Sequence, residues 1–354
     1  MRKYIKIVIT SMSVYLLYSS FFVFLSFAQS QELTAELPKA EKPFIRYRIT
    51  KKFHLRALTD LYTLQFKFPL SRKDIPNQEM TDLETSPKAN ALVNDPDGNR
   101  IAIFYFSNLR GGEEKNIEIC YKVKIEQENK DINFSTIPDN YSELTPDLER
   151  YLKREENIDM EDELIQKTLN SIVGEIKNPY LKGKAIYDFI VANIKYENKE
   201  NFSGLQRSKE TLIQKRGNCA DITKLFIVLA RACGIPTRQV DGLVFFPNVS
   251  PTKGVEKIGH AWAEIYLPVY GWLPVDPTFG ISQKEEYYCF KYNKHIREFF
   301  GQVISRNPGS LYSGSSIQVR TYNPSGGVPV DKDAEIEIEL LNSKITINAE
   351  KLVI

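Results

Sequence analysis

A chain of 354 residues, 42% of them hydrophobic, with 47 basic and 45 acidic side chains, is long enough for two packed domains and too apolar to be disordered. Its near-balanced charge, +2 overall, argues against nucleic acid as the target, because neutralising phosphates takes a basic surface.

The chain opens with Arg2, Lys3 and Lys6, then runs uncharged from residue 7 to residue 28 and ends that run on Ser26-Phe27-Ala28. A basic start, an apolar stretch and a small-x-small ending predict a signal peptide over residues 1–28, so the mature chain is expected to be extracytoplasmic, whether secreted, periplasmic or surface-anchored. The apolar run is also long enough to span a bilayer, so the alternative is an uncleaved tether through residues 7–28.

Between residues 41 and 140 the dominant signal is period two. Ile45, Tyr47 and Ile49 alternate with polar residues, as do Tyr62, Leu64, Phe66, Phe68 and Leu70, and then Ile117, Ile119, Tyr121, Val123 and Ile125. Alternating runs separated by turn clusters such as Asn94-Asp95-Pro96-Asp97-Gly98-Asn99 predict an all-β, immunoglobulin-like sandwich over residues 41–140. His54 falls in one of these strands and reads as a surface residue.

From residue 141 the spacing becomes helical, with segments at 147–156, 161–176 and 180–195. The Pro138 to Pro146 stretch marks the boundary to an α+β domain over residues 141–305.

Within it, Arg216-Gly217-Asn218-Cys219-Ala220-Asp221 leads into Ile222, Leu225, Phe226 and Leu229, an apolar helical stripe stopped by Gly234 and Pro236. Asn218 is a suitable N-cap and Asp221 stands three residues on, the spacing of a capping box. Cys219 is thereby expected at the first helical position, where unpaired N–H groups and the positive end of the helix dipole favour a sulfur nucleophile and could hold an oxyanion. Cys233 falls on the buried face of the same helix and reads as structural.

Two strands follow: Gly259 to Leu267, with His260, Trp262, Glu264 and Tyr266 on one face, and Gly271 to Thr278. A turn centred on Val269 sets Asp276 opposite Trp262 and one diagonal step from His260. Cys219, His260 and Asp276 then have the residue types of nucleophile, base and orienting carboxylate. His295, in Lys294-His295-Ile296-Arg297-Glu298-Phe299-Phe300, reads as an exposed residue on an amphipathic helix.

The three histidines and four cysteines do not have zinc-ligand spacing, so neither a metal nor any other cofactor is expected. Residues 306–354 end in alternating Ile336, Ile338 and Leu340, then Ile345 and Ile347, a C-terminal β extension expected as a strand pair or hairpin packed on the rest.

Four blocks carry a family resemblance: Gly-Asn-Cys-Ala-Asp at 217–221, Leu-Ala-Arg-Ala-Cys-Gly-Ile-Pro-Thr-Arg at 229–238, His-Ala-Trp-Ala-Glu at 260–264 and Gly-Trp-Leu-Pro-Val-Asp-Pro-Thr at 271–278. Their order resembles the core of the transglutaminase-like superfamily. The resemblance implies a papain-like α+β fold with Cys219 as nucleophile, His260 as general base and Asp276 as its orienting partner. It implies a thioester intermediate on a peptide or protein amide, resolved by water in a hydrolase, deamidase or peptidase, or by an amine in a cross-linking transglutaminase. Water is the favoured acceptor because an amine needs a dedicated site. A non-catalytic envelope scaffold is the reading from another class. One departure stands out: animal transglutaminases place a tryptophan upstream of the cysteine, whereas both tryptophans here, 262 and 272, follow it. Tyr196 and Gln214 are the upstream donors that could replace it.

Overall fold

The computed structural model describes residues 43–343, apart from 72–74, 96–97, 128–130, 142, 154–157, 198–206, 246–251, 254–258, 284–285, 293, 302–317 and 323–329. The expected signal peptide, and Ile345 and Ile347, therefore lie outside the described residues, as does most of the loop between Phe245 and Gly259.

Six strands come first: β1 (Phe44–Ala57), β2 (Leu61–Leu70), β3 (Gln78–Ser86), β4 (Ala91–Asn94), β5 (Arg100–Leu109) and β6 (Glu114–Glu126). The alternation seen in the sequence is the burial pattern here: Ile45, Tyr47 and Ile49 of β1, and Ile117, Ile119, Tyr121, Val123 and Ile125 of β6, are all buried. Tyr62 breaks the pattern and is 59% exposed, with Leu61 buried in its place.

A helical stretch follows, with α1 (Pro146–Glu149), α2 (Glu163–Val173) and α3 (Pro179–Asn193). Asp162 and Asn178 cap the last two through their side chains, and Pro179 fits the first position of α3, where its missing N–H costs nothing. Next come β7 (Lys195–Tyr196), α4 (Ser208–Gln214), β8 (Arg216–Gly217) and α5 (Cys219–Ala232), then β9 (Thr237–Val244), β10 (Thr252–Lys253), β11 (Gly259–Leu267), β12 (Gly271–Val275) and α6 (Pro277–Gln283). The chain closes with β13 (His295–Gly301), β14 (Gln318–Tyr322) and β15 (Val330–Ser343).

Three larger sheets, in the orders β10-β15-β1-β6-β3, β14-β2-β5-β4 and β12-β11-β9-β13, and a two-stranded sheet of β7 and β8 organise these strands. The first two share one core, where Phe53 of β1 meets Phe66 and Phe68 of β2 at ring separations of 5.0 and 4.9 Å. Of the expected C-terminal strand pair, the half at Ile336 to Leu340 lies in β15, and its partner at Ile345 and Ile347 lies outside the described residues. β15 pairs with β1 and β14 with β2, so the two strands join different sheets at the far end of the sequence from their partners.

The third sheet is buried on both faces. Ala263, Ile265 and Leu267 of β11 pack in the core that contains α3 and α5, while Trp262, Val240, Ile296 and Phe300 belong to the core of the first two sheets. The expected hairpin of β11 and β12 forms one side of this four-stranded sheet.

The segment from Lys294 to Phe300 corrects the sequence reading. It forms strand β13, not an amphipathic helix, and His295 is fully buried. Its apolar residues suit either period, and pairing with β9 decides the matter. Gly242 of β9 makes that pairing possible: a Cβ there would lie 2.0 Å from the Ile296 carbonyl oxygen and 2.8 Å from Trp262.

The other side of β13 is fastened to the first two sheets. The Gln78 side-chain amide donates to the Arg297 carbonyl (2.8 Å) and accepts from its N–H (2.9 Å), as a strand's peptide group would. Asn99 does the same for Phe300, at 2.6 and 2.7 Å. Glu298 accepts from Lys51 and from the Tyr121 hydroxyl; burial pulls the Lys51 ammonium down, and Glu298 opposes that shift.

Candidate active site

Asn218 caps α5 as its residue type demands. Its side-chain oxygen accepts from the Asp221 N–H at 3.0 Å, and the Asp221 carboxylate accepts from the Asn218 N–H at 3.2 Å. The reciprocal pair sets Cys219 at the first position of the helix. Gly217 allows the fold-back, since a Cβ there would lie 2.7 Å from the Asp221 Cβ. Burial pushes the Asp221 carboxyl up to about 6, against the Asn218 N–H and Lys224.

The helix is held against β11 by the Thr223 hydroxyl, which donates to the Ala261 carbonyl at 3.0 Å. That bond sits beside His260, so a side-chain hydroxyl on α5 and a backbone carbonyl on β11 join the two parts of the site.

The β11–β12 register pairs Ala263 with Val275 and Tyr266 with Trp272, which is the register that a turn centred on Val269 requires. Val269 itself has φ 72°, a left-handed conformation unusual for a β-branched residue. Asp276 follows β12 directly and does two jobs. Its Oδ1 accepts from the Phe279 N–H at 3.1 Å, capping α6, and its Oδ2 lies 2.7 Å from His260 Nε2. The cap holds the carboxylate still, and the Asp-Pro step from 276 to 277 was its sequence signal.

His260 therefore donates Nε2–H to Asp276, which leaves Nδ1 as the ring nitrogen available to Cys219, to which the ring is electrostatically coupled. Burial works against a charged imidazole, but the Asp276 carboxylate, with help from Cys219, raises the His260 pKa to about 10. Burial likewise works against a charged Asp276, yet His260, and then His295, hold it well below the usual carboxylate range. Cys219 is part-exposed while Asp276 is fully buried, so the sulfur is open to a reactant and the carboxylate is not.

Cys219, His260 and Asp276 come together as the motif order implied. The sequence reading missed His295: its Nε2 lies 3.0 Å from the same Asp276 Oδ2. The pattern Lys-His-Ile-Arg-Glu held no signal for this, because the contact depends on β13 adding to the sheet beside β9.

Tyr196 sits on β7, paired in parallel with Gly217 two residues before Cys219. Burial pushes its phenol up to about 12, with smaller contributions from the negative charges of Cys219 and Asp276. Gln214 is exposed at the end of α4. Trp262 is buried, donating to the Tyr292 hydroxyl at 3.1 Å, and Trp272 stacks on Arg238; both serve packing. Burial pushes the Cys233 thiol up to about 12, in keeping with a structural cysteine.

His260, Asp276 and His295 offer three metal-ligand atoms within 4.8 Å of one another. Both imidazoles, however, aim at a single carboxylate oxygen at 2.7 and 3.0 Å. Those are hydrogen-bond distances, whereas atoms on one tetrahedral zinc, each ~2.0–2.2 Å from the metal, stand roughly 3.3 Å apart. The set fits two donors on one acceptor better than three lone pairs on one ion.

Residues 166–277 match the sequence profile of the transglutaminase-like superfamily, so the chain carries a transglutaminase-like domain that includes all three motif residues. The crystal structure of a candidate cysteine protease from Cytophaga hutchinsonii shares the fold, with a TM-score of 0.63 at 17% identity over 87% of this chain and 96% of that one. An uncharacterized protein of Haemophilus influenzae is 28% identical over 165 residues, 42% of each chain. The uncharacterized protein YebA of Bacillus subtilis is 24% identical over 178 residues, 47% of this chain and 22% of that one. The matches thus span less than half the length of these two relatives.

Proposed function

We propose that the protein is a thiol-dependent acyl-transfer enzyme acting on peptide or protein amides, with Cys219 as nucleophile, His260 as general base and Asp276 as the carboxylate that orients it. The observation that carries the reading is a buried imidazole 2.7 Å from the buried Asp276 carboxylate and electrostatically coupled to the part-exposed Cys219 that opens α5.

At rest the raised His260 pKa leaves the thiol proton on its Nδ1, and in the first half-reaction the Cys219 thiolate bonds to the amide carbon. The C–N bond then breaks as His260 returns that proton to the departing amine, leaving a thioester. In the second, His260 takes a proton from water, whose oxygen attacks the thioester, and returns it to the departing Cys219 sulfur, releasing the acid. The amide of Cys219, at the start of α5, and the Tyr196 phenol are the donors offered to the oxyanion. Hydrolysis or deamidation is preferred over amine transfer because water needs no site of its own.

The first two sheets are read as an immunoglobulin-like sandwich of residues 41–140, completed by the extension 306–354 and serving as the scaffold for a catalytic domain at 141–305. The basic and apolar start supports an extracytoplasmic location; among the described residues no helix is long and apolar enough to cross a membrane.

Incubation with a glutamine-containing peptide, with and without a primary amine, tests the reading by mass. A one-unit gain or chain cleavage that disappears in Cys219→Ala is the expected result. An added amine mass would select cross-linking. Equal silence from wild type and Cys219→Ala over a panel of peptides would favour the scaffold reading.

A further inference from the structure

His295 has no role in the mechanism above, yet it is one of only three histidines in the chain, is fully buried, and touches the reacting machinery through a single atom. We propose that His295 is a positioning residue: a neutral imidazole that gives Asp276 Oδ2 its second N–H donor, keeping the carboxylate ionised and aimed at His260. The proposal rests on the enzyme reading for its purpose, but its geometry stands separately.

Three observations carry it. Asp276 is fully buried, where a carboxylate stays charged only if donors replace the water it has lost. It accepts from the Phe279 N–H on Oδ1 and from two imidazole N–H groups on Oδ2, at 2.7 and 3.0 Å. Without His295, the buried carboxylate would keep two donors, His260 on Oδ2 and the Phe279 N–H on Oδ1.

The second observation fixes the protonation state. His295 Nδ1 is buried and has no hydrogen-bond partner among the described residues. An imidazolium must place two N–H donors, and this site offers an acceptor to one. The ring is walled by aromatic neighbours, with Phe290, Phe279 and Trp262 at centroid separations of 4.7, 5.0 and 5.0 Å. The tautomer is then Nε2–H, since a lone pair there would face a carboxylate oxygen. Burial, opposed by Asp276, also lowers the His295 pKa, which agrees.

The third observation is how firmly the ring is placed. His295 pairs with Val244 in β13, and the following residues are clamped by Gln78 and Asn99 from the first two sheets. A histidine that opens a strand clamped on its second edge two and five residues further on has little freedom to serve as a mobile base.

The titratable groups around Asp276 are His260 on β11, His295 on β13, Tyr196 on β7 and Tyr187 on α3; Cys219 and Asp241 face His260. Removing a donor from a carboxylate raises its pKa, so loss of His295 should neutralise Asp276 at higher pH and weaken the charge on His260 with it.

The pH dependence of Cys219 alkylation by iodoacetamide reads this without a substrate. In His295→Leu the acid limb is expected to move up by about one pH unit or more, and in His295→Gln, whose amide reaches the Nε2 position, to return towards wild type. His260→Ala is the control that separates the two ideas. If His260→Ala shifts the profile and His295→Leu, still folded by near-UV circular dichroism, does not, the positioning role is wrong and the enzyme reading stands. If neither shifts it, the Cys219–His260 pair itself fails.

Should His295→Leu not fold, the wild type still decides. With only three imidazoles, long-range ¹H–¹⁵N correlation spectra should show one non-titrating neutral Nε2–H tautomer from pH 5 to 9 for His295. A charged ring at pH 7, an Nδ1–H tautomer, or one zinc per chain that His295→Leu loses would overturn the proposal.

Discussion

The two sides of Asp276 are built by different means. On one side His260 and Cys219 are placed by short-range devices: a capping box across four residues, a hairpin turn at Val269, and the alternation of β11. On the other, His295 depends on β13 joining β9 and on clamps from residues separated from it in sequence by more than half the chain. Gln78 and Asn99 reach Arg297 and Phe300 across 219 and 201 positions. The near side is local, while the far side is held by a core to which the four motif blocks contribute only Trp262 among the described residues. A site of this kind is exposed to damage from sheets that contribute no reacting group.

The largest expected effect comes where the two sides meet. Asp276→Asn keeps the volume and the cap on α6 but removes the charge both imidazoles share, and should lower turnover on the order of 10³- to 10⁴-fold, the loss typical when a base loses its orienting carboxylate. Peptide turnover with the α-helical signal unchanged is the measurement; a loss under tenfold would remove Asp276 from the mechanism.

Gln78→Ala breaks the far side alone. It leaves the Arg297 N–H and carbonyl buried without the amide that serves them, which should cost roughly 2–4 kcal/mol in urea denaturation. It should also slow Cys219 alkylation, because the strand bearing His295 loosens. Lower stability with unchanged alkylation would show that the far side does not reach the sulfur.

The near side has its own, smaller test in pH. His260, raised to about 10 in the fold, contributes stability that is complete below its unfolded value near ~6.5 and is lost as pH rises through about 10. Asp276, held low, contributes stability present above ~4 and lost as pH falls through and below the ordinary carboxylate range. The melting temperature should therefore decline between about pH 7 and 10, and Asp276→Asn should flatten that decline. An equally steep decline in the variant would trace it to other groups.

Smallest is Asn218→Ala, which removes the cap oxygen from α5 and should cost about 1 kcal/mol. Its effect on Cys219 alkylation should exceed its effect on stability in rank among these variants, since the cap sets the first turn on which the sulfur sits. Urea melts and alkylation rates on one preparation would show whether it does.

Much of the near side was legible beforehand for a physical reason. Asn218 and Asp221 satisfy each other's N–H groups within one turn, and the 263–275 register follows from a three-residue turn at 268–270, so each depends on neighbours that the sequence places side by side. The first β strands were legible for the same reason, since period two is written residue by residue. Tyr62 strayed at the start of β2, where alternation alone did not hold it inside.

The far side was illegible because its determinants are distant. Lys294 to Phe300 offers apolar residues that satisfy a helix or a strand, and only the open edge of β9, with Gly242 leaving room for Ile296, selects the strand. The same holds for the terminal strands, whose partners β1 and β2 were synthesised first and lie at the opposite end of the chain. Local hydrogen bonding thus determined, in the sequence itself, that a cysteine would open a helix and a histidine and an aspartate would share a hairpin. Long-range burial alone decided that a second histidine would close over the aspartate, because the water that Asp276 gave up had to be replaced by whatever donor the tertiary fold brought within reach.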